Sequence, residues 1–162
     1  MLEPSDLVTQ AIRPALKKTN LWCPGREALI LGTGLAETNL SKISAGGIYG
    51  MSLTAHDELW SSPRLDPIVK DMVQNLYGHF DVDYILYHTL CVNLYYASAM
   101  AGLVYARIKH FPAMDEPLEM AEAWLEHWPS ESEHKSGAVD FAHKYEEHVI
   151  DLLSPRLLRL KG

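Results

Sequence analysis

Apolar positions along the chain fall into helical runs separated by proline, glycine and short polar caps, without the sustained alternation of a half-buried strand. Ser5 or Asp6 can cap a first helix that runs toward Lys18. Pro14 should bend or split it, because proline lacks the N–H and crowds the preceding turn. In "CPGREALILGTGLAET", Pro24 suits a first helical position and Glu27 lies in the first turn. Residues 28–36 are apolar on all sides except at Thr33, which predicts a buried helix where Gly32 and Gly34 let another backbone approach closely. Residues 39–53 keep neither period and read as a loop or a small irregular β element.

Thr54, with Asp57 three residues later, then caps a short helix through Trp60, and Asp66, Pro67 and Gly78 bound another. Asp81 or Asp83 starts a long central helix that stops before Pro112. "DEPLEMAEAWLEHW" predicts an amphipathic helix with Leu118, Ala121 and Leu125 on its apolar side, closed by Pro129. A last helix over Ser136 to Leu153 carries Val139, Phe141, Tyr145, Val149 and Leu152 near helical spacing. The pattern therefore predicts one mainly α domain over residues 1–162, with residues 1–22 as an N-terminal helical extension and 154–162 as a tail.

Length changes this picture little, since 162 residues suit a single domain. With 48% hydrophobic and 22% charged residues the chain can bury a core, which excludes wholesale disorder. Tyr84 to Ala106 has no Asp, Glu, Lys or Arg and is long enough to cross a bilayer. It also holds His88, Thr89, Asn93 and Ser98, which suit a helix wrapped by others better than one facing lipid, so no membrane insertion is expected. A formal charge of −7 with dispersed basic residues leaves no stripe for nucleic acid. Cys23 and Cys91 are expected as reduced packing residues. "MLEPSDLVTQAIRPALKK" does not read as a secretory signal.

Among residues able to carry chemistry, Glu37 stands out. It follows the buried run, on the helical face of Thr33 and Ile30, and precedes Ser41 and the cluster Gly46, Gly47 and Gly50. A carboxyl at the C-terminal end of a buried helix meets the unfavourable end of the dipole and partial desolvation, which favour the protonated state a general acid needs. The alternative is a glutamate whose head reaches water as its helix ends. Glycoside cleavage commonly uses a second carboxylate, for which Asp57 and Glu58 are nearest, although Asp57 also suits the helix start. With one carboxylate the substrate must supply its own nucleophile.

Other chemistries find little support. The eight histidines form no HExxH or comparable metal spacing, His56 has no serine elbow to serve, and "GTG" at Gly32 lacks a following lysine and a preceding strand. No cofactor or metal is expected. Tyr95 and Tyr96 could stack on a sugar or pack in the core.

Together "LGTGLAETNLSKI", "GGIYG", "LTAHDELW", "NLYYASAMAGLVYAR" and the segment from Trp124 to Glu146 resemble the lysozyme-like, lytic-transglycosylase-type proteins of tailed bacteriophages, commonly virion-associated. The resemblance covers roughly residues 25–148. It implies a lysozyme-like domain with a long buried central helix and places the catalytic acid at Glu37. That acid would protonate the glycosidic oxygen between N-acetylmuramic acid and N-acetylglucosamine, after which the muramic 6-hydroxyl closes an anhydro ring with help from the acetamido group.

Substrate contacts are implied at Thr38, Gly47, Tyr49, Gly50, Met51, Asn93, Tyr95, Tyr96 and Tyr145, the last being where the family's tyrosine approaches the acid. Implied partners are a peptidoglycan glycan strand and other virion proteins or further copies of the chain. The implied location is the phage particle, acting at the bacterial wall after synthesis in the host cytoplasm. The chain departs from the family's pattern in having Gly50 for glutamine, Trp128 and Pro129 for a tyrosine–asparagine pair, and Thr38 for the commoner serine. Missing amides would remove contacts to the sugar, so a structural virion protein of the same fold stands as the second expectation beside a wall-degrading enzyme.

Overall fold

The computed structural model describes residues 2–41, 46–62, 82–130 and 137–153, together with Pro67 and Asp71. The chain opens with α1 (Pro4–Leu7), passes through a π turn (Val8–Ile12) and continues as α2 (Arg13–Lys18). The wide turn immediately before Pro14 absorbs the hydrogen bond that proline cannot make, so the expected break is accommodated without ending the helix. Leu7, Val8, Ala11, Ile12, Ala15 and Leu16 are all buried, so this segment forms part of the core.

α3 (Pro24–Thr38) occupies the middle of the molecule and is buried from Glu27 through Ala36. Leu29, Ile30, Leu31 and Leu35 are fully enclosed, and burying each side chain contributes roughly 1.5–3 kcal/mol. Gly32 is needed because a Cβ there would lie 2.7 Å from the Phe141 ring. The close neighbours at Gly32 and Gly34 are side chains, Phe141 and Leu40, where a backbone was expected. Among polar groups on α3, Thr33 meets Tyr105 through hydroxyls 2.6 Å apart, and Glu27 accepts from Arg13 Nε at 2.7 Å.

α4 (Leu53–Ser61) is capped by Ser52, whose hydroxyl accepts from the Ala55 N–H, two residues before the expected cap Thr54. The helix expected between Asp66 and Gly78 lies outside the described residues apart from Pro67 and Asp71, which are helical. The expected long central helix is two helices, α5 (Val82–Val92) and α6 (Leu94–Val104). At Asn93 the backbone is extended, with φ −127° and ψ 99°, and its side-chain oxygen accepts from the Tyr96 N–H at 2.9 Å. An amide that caps its own downstream turn competes with continuous helix, and here it wins. A 3₁₀ turn (Tyr105–Arg107) ends α6.

α7 (Pro117–His127) and α8 (Gly137–Tyr145), the latter prolonged by a π turn (Glu146–Ile150), pack on each other and on α3. The apolar face of α7 is rotated from the expected one: Met120, Ala121 and Trp124 are buried, while Leu118 and Leu125 are exposed. On α8, Phe141 and Tyr145 are buried as expected, but Val139 is 78% exposed. The large aromatic rings supply the contact area that the aliphatic periodicity had assigned elsewhere.

The described residues thus form a small, mainly α-helical domain. No β-strand occurs among them; the one described bridge is an isolated antiparallel pairing of Met51 with Ser130. No described helix is long and apolar enough to cross a membrane. Cys23 and Cys91 are half-buried and not disulfide-bonded. Residues 154–162 lie outside the described residues.

Candidate functional site

Helix α3 ends one residue beyond Glu37. Asn39 and Leu40 take left-handed conformations, φ 53° and 58°, and their N–H groups return to Leu35 and Gly34 carbonyls at 3.1 Å. Leu40 folds back against Gly34, which leaves Glu37 half-buried at a rigid helix end. Thr38 ties that end to the following turn by donating from Oγ1 to the Ile48 carbonyl at 2.5 Å.

The turn itself is closed by the Met51 N–H on the Gly46 carbonyl and the Gly50 N–H on the Gly47 carbonyl. Gly47 and Gly50 both have positive φ, 74° and 60°. A Cβ on Gly50 would lie 3.1 Å from Glu37 Oε2, so the bare backbone of the turn is pressed toward the carboxyl. Beside the turn runs Trp128–Ser130, joined to it by the Met51–Ser130 bridge and by the Ser52 N–H on the Pro129 carbonyl at 3.0 Å.

Two donors converge on the carboxyl from this side. Trp124 donates its indole N–H to Oε1 at 3.1 Å, and Ser130 donates its hydroxyl to Oε2 at 2.7 Å. Each contact as drawn stabilises the charged form. The donors differ in kind, because an indole N–H can only donate whereas a hydroxyl can also accept. In a protonated Glu37, Oε1 can still accept from Trp124, and a proton on Oε2 is compatible with a Ser130 hydroxyl that turns to accept it. Oε2 is also the oxygen nearest Gly50. Behind the site, burial raises the Tyr105 phenol well above its ordinary range, and the negative charge of Glu37 adds to that effect.

The structure therefore brings Glu37, Thr38, Gly47, Gly50 and Met51 together, as expected from their sequence order. It sends the aromatic candidates elsewhere. Tyr49 is buried with its hydroxyl 2.8 Å from Ser98, and Tyr96 is buried with its hydroxyl 2.7 Å from His56 Nε2 and 2.8 Å from Trp60 Nε1. Neither ring offers a face to a sugar. Tyr95 donates to the Pro14 carbonyl, Asn93 caps α6, and Tyr145 donates to the Met114 carbonyl at 2.7 Å with its ring stacked on Phe141. Trp124 and Ser130 were not anticipated. They lie 87 and 93 positions from Glu37, and only the burial of an indole in a half-polar segment hinted at a partner for its N–H.

A cleft of about 860 Å³ opens next to this assembly, between α4, the end of α6 and the end of α7. Glu58, Arg107, Lys109, Glu126, Trp128 and Pro129 line it. Glu58 thus faces a cavity while Asp57 is exposed on α4, its carboxylate 3.7 Å from His56 Nδ1. The strand-like run Trp128–Ser130 is shared, touching the cleft through its first two residues and Glu37 through its third. Among the described residues no group of His, Cys, Asp or Glu is arranged to hold a metal ion.

Comparison with protein-family models, characterised proteins and solved structures returns no match for the chain.

Proposed function

We propose that the protein is a peptidoglycan-cleaving enzyme of lysozyme-like design, acting on the N-acetylmuramic acid–N-acetylglucosamine bond with Glu37 as general acid and then general base. The observation that carries this reading is the single half-buried carboxyl at the end of a buried helix, clamped by Trp124 and Ser130 against a glycine turn. A positioned acid needs its reactive oxygen defined, and a donor-only partner on Oε1 with a reversible partner on Oε2 supplies that definition.

In the proposed reaction, the proton on Oε2 passes to the bridging glycosidic oxygen as the bond from the muramic C1 to that oxygen breaks. The leaving oxygen keeps the bonding pair, and the substrate's acetamido oxygen covers C1. The muramic 6-hydroxyl then bonds to C1, displaces the acetamido oxygen and returns its proton to the Glu37 carboxylate. No second protein carboxylate is required in this sequence. A phage particle that opens the wall locally is the setting that fits the sequence resemblance.

A second reading has its own support. Burial of Tyr49 and Tyr96 and the bare Gly50 leave fewer side chains to hold a sugar, which suits a lysozyme-like virion component without catalysis. Release of anhydromuropeptides from purified peptidoglycan separates the two. The enzyme reading expects release by the wild type and its loss in Glu37→Gln; absence of release by the wild type across pH and salt would leave the structural role.

A further inference from the structure

We propose that the open groove between the start of α7 and the outer face of α8 is the docking site for the chain's own segment 154–162, an inference independent of the peptidoglycan reading. The groove has a volume of about 390 Å³ and is lined by Leu118, Val139, Ala142 and Ile150 together with Asp115 and Glu146. Leu118 is 60% and Val139 78% exposed, so two large apolar side chains on neighbouring helices face water in one depression. A lone exposed leucine is ordinary, whereas a concave apolar strip rimmed by charge marks a contact surface.

Charge selects the occupant. Among the described residues no lysine or arginine lines the groove, and neither Asp115 nor Glu146 has an ion-pair partner. The lysine of α8, Lys144, is committed on another side to Asp140 at 3.1 Å and to the Leu35 carbonyl at 3.4 Å. The run after Leu153, "SPRLLRLKG", supplies what the groove lacks: Leu157, Leu158 and Leu160 interleaved with Arg156, Arg159 and Lys161, and no acidic residue. Its length fits as well. Val139 and Ile150 lie roughly 16 Å apart along the helix axis at 1.5 Å per residue, and nine extended residues reach about 30 Å. Pro155 disfavours helix at Ser154, which lets the chain turn back along α8. The leucines then cover Ile150, Ala142 and Val139 while the guanidinium groups meet Glu146 and Asp115. Such a strap closes over the outer side of the helix pair whose inner side stacks Phe141 on Trp124 and holds the Trp124 indole on Glu37.

The test uses the full chain with leucine and valine methyl groups labelled for NMR. Val139→Ala and Leu118→Ala, at exposed positions, assign the groove methyls, and Leu157→Met, Leu158→Met and Leu160→Met assign those of the segment. Nuclear Overhauser contacts between the two sets are expected and should persist on dilution. Asp115→Lys combined with Glu146→Lys, two exposed positions, should abolish them, and adding Arg156→Glu with Arg159→Glu should bring them back, a recovery that misfolding would not allow. Absence of the contacts in the wild type, or their survival in the groove variant, would overturn the proposal. Contacts seen only between differently labelled copies would overturn it too, by giving the groove to a second chain.

Discussion

At Gly50 the backbone holds φ 60°, and a Cβ would come within 3.1 Å of Oε2 and 3.2 Å of Cβ of Glu37. The family that the sequence resembles has glutamine at this place, and its absence looked like a lost sugar contact. Here the left-handed backbone and the tight approach to Glu37 both favour glycine, which makes the glycine part of how the acid is housed. Gly50→Gln should therefore lower the urea midpoint, with about 1–2 kcal/mol from the left-handed backbone alone, and should not raise muropeptide release. A variant of wild-type stability and higher release would show that the turn has room after all. Ser130 belongs to the same argument. Ser130→Ala removes the hydroxyl on Oε2 while the bridge to Met51, made by backbone, remains. A hydrogen bond to a charged group is worth about 1.5–3 kcal/mol, so release should fall roughly 10- to 100-fold with the circular dichroism unchanged.

Among elements, the break between α5 and α6 matters most to the site, because it sets the direction in which Tyr96 and Ser98 point toward α4 and Tyr49. Asn93→Ala should cost about 1 kcal/mol of stability, read as a lower urea midpoint at unchanged slope, since the cap on the Tyr96 N–H is lost. The break was illegible in the sequence for a physical reason: a charge-free apolar run shows no period change when it turns a corner inside a core. By contrast Pro24 at a first helical position declared its helix plainly. Glu37 and the glycine turn were legible because they are close in sequence and one follows the other around a helix end. Trp124 and Ser130 were not, because side chains that meet across nearly ninety residues leave no local period. The apolar face of α7 was misread for a related reason, in that Trp124 outweighs Leu118 and Leu125 once a partner ring, Phe141, is in place at 5.1 Å.

At the scale of the whole molecule, the two sides of the site are joined by a buried polar knot whose charge state depends on pH. His56 on α4 meets Tyr96 on α6 through Nε2, packs edge-on to Tyr87 of α5, and Tyr87 in turn donates to the Met51 carbonyl in the site turn. Burial lowers the His56 pKa from its ordinary 6.5, opposed by the neighbouring Asp57 carboxylate, and Nδ1 is buried without a hydrogen bond. Because the folded state resists the proton more than the unfolded chain does, the unfolded state gains it first as pH falls. Stability held by neutral His56 is therefore complete above about pH 6.5 and is lost as pH drops from there through the folded-state pKa, at no more than about 1.4 kcal/mol per pH unit. Glu27 carries the opposite sign, since burial raises its carboxyl above 4.5 against the pull of Arg13, and its contribution declines as pH rises through that range. Urea midpoints measured from pH 7.5 to 5 should fall on acidification in the wild type and fall less in His56→Gln. The comparison isolates the histidine from Glu27, which is intact in both. Loss of the knot should also free the turn at Met51, so the protection of the Gly46–Met51 amides, taken relative to intrinsic exchange at each pH, should fall on the acid side in the wild type alone; equal slopes and equal protection in the two proteins would detach His56 from the site.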